Sequence, residues 1–312
     1  MSKLAIVSRD FAIYQKYFET ASSLPAAVEL IYAGPTSTPD VEQHADILLS
    51  EPDIASQFIS RCKKLRWLQS AWAGNNKLQK LSKQDYKLTG TKGIYAAQMR
   101  EYVFAYLLYF QRQIPELQAL QASHSWQTMK IATLAGKRLG IMGLGNIGCE
   151  LARLALNFDM NISAITATNQ PLENVDYYSL TDIHRFAHDC DFIVNLLPET
   201  QNTVGICNKA FFDAMKSSAI FLNVGRGSIL KNDKVLVEAL TLKQIKAAVL
   251  DVFTEEPLPN NHAFYALENC LITNHTAAVS EPHKVFSVFK NNLQRYSEGQ
   301  PLLFEHDFLK GY

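Results

Sequence analysis

The sequence lacks an excess of charge of either sign. Its 312 residues include 30 lysines and arginines and 30 aspartates and glutamates, so the formal net charge at pH 7 is zero. A protein that binds nucleic acid usually carries a clear basic excess, because phosphate contacts need lysine and arginine. The balance therefore argues against a nucleic-acid partner.

Cysteine is scarce, and its spacing shows no pairing. The chain has five cysteines and no C-x-x-C motif: Cys62, Cys149, Cys190, Cys207 and Cys270. An odd number without such motifs is typical of reduced thiols in a cytoplasmic protein. His184 and His188 could share a helix face, but no third ligand accompanies them, so we predict no metal site.

Long apolar runs are also missing. The stretch Tyr102–Phe110 is the longest strongly apolar one near a helix, well short of the about 20 residues that span a bilayer. The start, MSKLAIVSRD, lacks the basic residues and long apolar core of a signal peptide. We therefore expect no membrane partner and a cytoplasmic location.

Apolar residues nevertheless make up 47% of the chain, and the length suits two domains. In the first third, short apolar runs at Leu4–Ser8, Ala45–Ser50 and Leu65–Ala71 alternate with helix-length segments. This alternation predicts parallel βαβ units. From Gln98 to about Leu120, apolar residues recur every three or four positions, which predicts one long helix.

The middle third continues the alternation. Its strand candidates are apolar without clean alternation, as expected when helices cover both sheet faces. They are Leu139–Met142, Met160–Gln170, Asp191–Pro198, Ala219–Gly225, Ala247–Phe253 and Cys270–His275. A last helix is predicted from about Glu281. The sequence as a whole predicts an α/β protein.

A glycine motif of the form G-x-G-x-x-G joins the first of these strands to a helix. In it, Gly143 permits the tight turn, Gly145 lets the backbone approach a pyrophosphate, and Gly148 lets helix and strand pack closely. The N–H groups at the helix start, around Asn146 and Ile147, then face the phosphates. The motif predicts a dinucleotide site; a glycine turn without a ligand is the alternative.

The end of the next strand indicates which dinucleotide is used. An acidic residue there usually binds the adenosine ribose, but this chain has Thr166, Ala167, Thr168 and Asn169. The missing carboxylate removes a charge that would repel a 2′-phosphate, although no lysine or arginine replaces it. We predict that Thr166 and Thr168 contact the cofactor, and that NADP(H) is favoured over NAD(H).

Three further motifs carry polar side chains directly after apolar strands. They are N-V-G-R-G-S with Arg226, D-V-F-T-E-E-P-L-P with Glu256, and T-N-H-T-A with His275. The carboxyl ends of parallel strands line the ligand crevice of an open sheet. An arginine, an acid and a histidine can therefore converge beside a nicotinamide.

In order and context these segments resemble the D-isomer-specific 2-hydroxyacid dehydrogenase family, which includes glyoxylate/hydroxypyruvate reductases and phosphoglycerate dehydrogenases. The resemblance extends to LQSAWAG near residue 70, Trp126 before TLAGKRLGIMGLGNIG, and L-L-P-E-T at Leu196–Thr200. It implies two Rossmann-like domains, with a nucleotide-binding domain inserted into a flavodoxin-like substrate domain. Residues 1–96 and 280–312 would form the substrate domain, and residues 97–279 the nucleotide-binding domain.

The resemblance also implies roles for single residues. Arg226 would grip the carboxylate and keto oxygen of a substrate through its fork of donors. His275 would exchange a proton with the substrate oxygen, and Glu256 would hold its tautomer and raise its pKa. The Ala73–Gly74 turn would help to bind the substrate carboxylate. Further cofactor contacts are implied at Leu197, Pro198, Val224 and Asp251.

The implied activity is an NAD(P)-dependent reduction of a small 2-keto acid to the D-2-hydroxy acid, or the reverse. The resemblance also implies a homodimer, for which we predict an interface on the apolar helix around Tyr102–Phe110. Asn274 stands where the family often has proline, and Trp72 and Asn75–Asn76 depart from its usual substrate loop, which leaves the substrate open. A dinucleotide-sensing corepressor of the same fold is the alternative function. A formate dehydrogenase is less favoured, because its extended histidine signature is missing around His275.

Overall fold

The computed structural model describes residues 1–167 and 172–308, and the chain divides into two compact units. The first unit combines Met1–Ile94 with Ser280–Tyr312, and the second is Tyr95–Val279. The second unit is thus inserted into the chain of the first. The first boundary falls at Ile94, where the sequence placed it at residue 96.

The first unit is built on short parallel strands separated by helices. In chain order its elements are β1 (Ser2–Val7), α1 (Phe11–Thr20), β2 (Val28–Gly34), α2 (Pro39–His44), β3 (Ile47–Ser50), α3 (Pro52–Ala55), a 3-10 turn (Ile59–Arg61), β4 (Trp67–Ser70), α4 (Asn76–Gln79) and β5 (Lys87–Thr89). Among the described residues its sheet has five strands in the order β2-β1-β3-β4-β5, all parallel.

The second unit repeats this plan on a larger scale. Its elements are α5 (Ala96–Gln111), α6 (Ile114–Ala122), β6 (Arg138–Met142), α7 (Asn146–Leu156), β7 (Asn161–Ile165), β8 (Val175–Tyr178), α8 (Ile183–Asp189), β9 (Phe192–Asn195), α9 (Lys209–Ala214), β10 (Ile220–Asn223), α10 (Asp233–Thr241), β11 (Ala247–Leu250) and β12 (Cys270–Ile272). Short 3-10 turns lie at Leu180–Asp182, Gly227–Ile229 and Ala263–Ala266. The chain then returns to the first unit with α11 (Pro282–Ser297).

The sheet of the second unit has the order β12-β11-β10-β9-β6-β7-β8 over the described residues, again all parallel. Its two faces bury separate apolar clusters: Met142 and Phe221 belong to one, Ile141 and Leu222 to the other. Burial on both faces explains why these strands read as continuous apolar runs. Between β6 and β9 the chain switches direction across the sheet, and such a switch point is where open α/β sheets bind ligands.

The predicted fold class is confirmed. Both units are α/β with parallel sheets, and the order 2-1-3-4-5 in the first is flavodoxin-like. No helix in residues 1–167 and 172–308 has the length and apolar character needed to cross a membrane. All five cysteines are free thiols.

The single long helix predicted from Gln98 to Leu120 is wrong. α5 ends at Gln111, and Gln113 adopts a left-handed φ of 54° before α6 begins at Ile114. Pro115 lies in the first turn of α6, where its missing N–H is tolerated. In the interior of one continuous helix the same proline would remove a hydrogen bond and clash with the preceding turn.

Candidate active site

The glycine turn after β6 has the geometry that a dinucleotide needs. Gly143 has a φ of +105°, and a Cβ on Gly148 would lie 2.2 Å from the Gly143 carbonyl oxygen. Gly145 forms the N-cap of α7, and a Cβ there would meet no atom within 4 Å. The first turn of α7, with Asn146 exposed and Ile147 half-buried, thus begins in an open cradle that fits a pyrophosphate.

Other predicted cofactor residues follow neighbouring strands of the same sheet. Thr166 directly follows β7 and is half-buried, whereas Thr168 lies outside the described residues. Leu197 is buried and Pro198 exposed after β9, and Val224 is buried after β10. Their contacts with a cofactor remain predictions.

Arg226 lies in the loop that follows β10. Its Nη1 donates to the Gly225 carbonyl oxygen at 2.6 Å, and the residue is half-buried. Burial lowers the pKa of Arg226, but a guanidinium stays protonated at any physiological pH. The next residue must be glycine, because a Cβ on Gly227 would lie 2.0 Å from the carbonyl carbon of Phe253. This close approach brings the arginine loop against the loop that carries Glu256.

Glu256 and His275 form an ion pair at the same edge of the sheet. His275 Nδ1 lies 2.8 Å from Glu256 Oε2, and the other carboxylate oxygen accepts the Phe253 N–H at 2.9 Å. An ionised carboxylate can only accept, so Nδ1 carries the proton that bonds it. Nε2 is then the ring nitrogen left to exchange a proton with a substrate.

The contact between Glu256 and His275 shifts the pKa values of both side chains. The hydrogen bond that His275 donates to Glu256 raises the pKa of His275, and partial burial opposes this shift. Burial raises the pKa of Glu256, but the bonds from His275 and the Phe253 N–H outweigh it, so the pKa of this carboxyl is lowered. Arg226 lies near enough to affect both pKa values electrostatically. The carboxylate therefore stays ionised, and the imidazole keeps its proton to a higher pH than a free histidine.

The loop that carries His275 is held by Asp251, at the end of β11. The Asp251 carboxylate is buried and accepts from the Thr273 hydroxyl, the Thr276 N–H at 2.8 Å and the Ala277 N–H at 3.1 Å. These bonds keep the loop in a conformation in which His275 has a φ of 56°. Asp251 is therefore a positioning group in this loop; its predicted contact with the nicotinamide remains a prediction.

Tyr102 extends this network from α5. Its hydroxyl lies 2.8 Å from Thr273 Oγ1. The sequence placed Tyr102 only in an apolar helix, and Thr273 appeared in the T-N-H-T-A motif without a role of its own. The available signal was the tyrosine itself, because a buried phenol usually finds a polar partner.

The predicted substrate loop belongs to the first unit and follows β4. Ala73 is exposed and Gly74 half-buried. The preceding Trp72 packs under the guanidinium of Arg9, whose carbon lies 5.4 Å from the ring centroid, and Arg9 in turn binds Asp53 through two nitrogens. The indole is therefore held in place beside the loop.

The three predicted catalytic side chains thus converge within the second unit, and Ala73 and Gly74 lie in the other unit. Over the part of the chain that the structure describes, no three His, Cys, Asp or Glu side chains are grouped as metal ligands would be. At this edge of the sheet, Arg226 supplies a positive charge, and the imidazole of His275, whose pKa is raised by Glu256, can exchange a proton.

The sequence of this chain is similar to those of known proteins. The family model "D-isomer specific 2-hydroxyacid dehydrogenase, NAD binding domain" matches residues 104–277. Glyoxylate/hydroxypyruvate reductase A of Yersinia enterocolitica is 31% identical over 217 residues, which cover 69% of this chain and 69% of the relative.

Solved structures agree over nearly the whole chain. A D-isomer specific 2-hydroxyacid dehydrogenase family protein from Aeromonas salmonicida superposes with a TM-score of 0.90 at 33% identity, covering 98% of this chain and 99% of the other. An NADPH-dependent glyoxylate/hydroxypyruvate reductase from Sinorhizobium meliloti, solved with NADP and sulfate, gives 0.86 at 25% identity with full coverage of both chains, 100% each. All three are named as dehydrogenases or reductases, which gives no support to the corepressor alternative. The chain belongs to the D-isomer specific 2-hydroxyacid dehydrogenase family and is an NAD(P)-dependent dehydrogenase.

Proposed function

We propose that this dehydrogenase reduces glyoxylate, hydroxypyruvate or a similarly small 2-keto acid to the D-2-hydroxy acid, with NADPH as its reductant. The observation that carries the proposal is the 2.8 Å bond between His275 Nδ1 and Glu256 Oε2, within electrostatic reach of Arg226. The substrate class is supported by the reductases of Yersinia and Sinorhizobium.

Arg226, His275 and Glu256 each have a role in this reaction. Arg226 binds the substrate carboxylate and keto oxygen through its fork of N–H donors. When bound, the reduced nicotinamide supplies the hydride that C2 accepts. His275 Nε2 gives its proton to the keto oxygen as negative charge develops there, and Glu256 holds Nδ1–H so that Nε2 faces the substrate. In the reverse direction neutral His275 takes the proton back.

NADPH is proposed on the chemistry at the end of β7. Thr166 stands there in place of a carboxylate that would repel the 2′-phosphate. The Sinorhizobium reductase is NADPH-dependent.

We further propose that the enzyme is a cytoplasmic homodimer. Its five free thiols fit a reducing compartment.

The test is a panel of 2-keto acids (glyoxylate, hydroxypyruvate, pyruvate and phenylpyruvate), each assayed with NADPH and with NADH. His275→Gln should lower kcat by about 100-fold or more, as expected for the loss of a general acid. His262→Gln is a matched control, because His262 also bonds a carboxylate, Asp233 at 3.1 Å, but outside the site. It should leave kcat unchanged.

Two results would contradict the proposal. One is a wild-type enzyme that reduces none of the four keto acids. The other is a His275→Gln variant whose kcat stays normal across the pH range, which would remove His275 from proton transfer.

A further inference from the structure

Two buried asparagines lie side by side at the ends of β9 and β10. Asn195 and Asn223 are paired in register across the two strands, and both are 0% exposed. Nδ2 of Asn195 donates to Oδ1 of Asn223 at 2.8 Å. Burying two amides without partners would be costly, so their remaining donors and acceptors indicate what they hold.

Those remaining groups bind the backbone of two different loops. Oδ1 of Asn195 accepts the Leu197 N–H at 3.1 Å, in the loop after β9. Oδ1 of Asn223 also accepts the Gly225 N–H at 3.3 Å, and its Nδ2 donates to the Arg226 carbonyl oxygen at 3.1 Å. One pair of side chains therefore ties the loop after β9 to the loop that carries Arg226.

The packing around the pair leaves little room for other arrangements. A Cβ on Gly225 would lie 2.8 Å from Asn195 Nδ2 and 3.0 Å from the Leu197 carbonyl oxygen. Beyond Arg226, Ser228 Oγ donates to Glu199 Oε2 at 2.8 Å, a second tie between the same loops. In the chain, Arg226 thus lies between Gly225 and Ser228, and both of these residues are held by contacts with the loop after β9.

We propose that Asn195 and Asn223 form a positioning clasp, which sets the backbone at Arg226 relative to the Leu197 loop and so aims the guanidinium at the substrate. The chemistry requires amides at both positions. Asn195 must donate to its partner, and Asn223 must accept there and donate to Arg226. The proposal rests on the proposed function only for the role of Arg226 in substrate binding; the effect on the loops stands apart from it.

The kinetic test is Asn223→Asp. The substitution keeps the acceptor for Asn195 and Gly225 but sets a carboxylate oxygen against the Arg226 carbonyl. We expect KM for the keto acid to rise about 10-fold or more, the cost of one unsatisfied buried group, with little change in the Kd of NADPH. Asn195→Asp breaks the bond between the asparagines, so KM and the Kd of NADPH should both rise.

Asn292→Asp is the matched control, because Asn292 is equally buried but lies in the first unit, bonded to Gln69 and the Leu303 carbonyl. It should lower thermal stability and leave KM and the Kd of NADPH unchanged. If Asn223→Asp does the same, the clasp is only structural and the proposal is overturned. Asn223→Ser, which leaves room for a water, serves if the Asp variant does not fold.

A measurement that does not depend on catalysis, hydrogen exchange, can distinguish a failure of this proposal from a failure of the proposed function. Hydrogen exchange at the Gly225 amide should accelerate about 10-fold or more in Asn223→Ser, since its buried acceptor is lost. Unchanged exchange there would overturn the clasp. If the wild-type enzyme reduces no keto acid but exchange still accelerates, the proposed function fails and the clasp stands.

Discussion

At the level of single residues, the charge of Glu256 can be removed without changing its shape. Glu256→Gln deletes the partner whose hydrogen bond raises the pKa of His275, so that pKa should fall. Reduction needs protonated His275, and activity is lost as the pH rises through its pKa. The basic limb of the kcat/KM profile for reduction should therefore move to lower pH. The acidic limb for oxidation, which needs neutral His275, should move the same way.

Glu255→Gln is the control for this substitution, because the neighbouring carboxylate is exposed and His275 bonds Glu256 instead. It should leave both limbs in place. A Glu256→Gln profile that matches that of the wild-type enzyme, with His275 confirmed as the titrating group, would mean that the pair does not tune the proton donor.

The same scale shows why some residues of the proposed site have a signal in the sequence and others do not. Arg226, Glu256 and His275 are predicted as catalytic because their motifs resemble those of a family and each follows an apolar strand. The clasp was missed, although β9 and β10 read FIVN and IFLN and both end in asparagine. A buried amide gives no periodic signal, and only the register of two strands shows that Asn195 and Asn223 are partners.

Among the elements, the sequence predicted interior strands well and edge strands poorly. The unpredicted strands β2, β5 and β8 all lie at sheet edges. An edge strand is covered less completely, so its residues need not be apolar: β8 has two exposed positions, Asp176 and Tyr177. Central strands such as β10 are buried along their whole length and give a continuous apolar run.

The end of β7 provides the prediction about cofactor choice. Thr166→Asp places a carboxylate at the position that usually binds the adenosine ribose and repels a 2′-phosphate. Thr166 can offer only a neutral hydrogen bond, worth about 0.5–1.5 kcal/mol. The ratio of kcat/KM for NADPH to that for NADH should therefore fall by about 10-fold, which corresponds to about 1.4 kcal/mol.

Thr241→Asp is the control for a new charge, because Thr241 ends α10 and is exposed. Its cofactor ratio should equal that of the wild-type enzyme. A wild-type enzyme that already prefers NADH, together with an unchanged ratio in Thr166→Asp, would refute both the proposed cofactor and the position assigned to the ribose.

For the whole molecule, the structure bears on where a dimer contact is expected. The apolar helix around Tyr102–Phe110 supplies the predicted interface. Four of its residues are buried in the core of their own unit (Val103, Phe104, Leu107 and Phe110), and three of its tyrosines are half-buried (Tyr102, Tyr106 and Tyr109). The next helix differs. α6 has no buried residue, Leu117 on it is 40% exposed, and Trp126 in the following segment is 99% exposed.

We therefore expect α6 and Trp126 to contribute to the homodimer contact in addition to the predicted helix α5. Large exposed apolar side chains on one segment often mark an interface, and a net charge of zero does not oppose association of two copies. Light scattering should give twice the monomer mass. Leu117→Glu combined with Trp126→Ala should shift the equilibrium towards monomer. Leu242→Glu should not, because Leu242 directly follows α10 and is 61% exposed. A monomer mass for the wild-type enzyme at every concentration would refute the dimer, and an unshifted double variant would refute this interface.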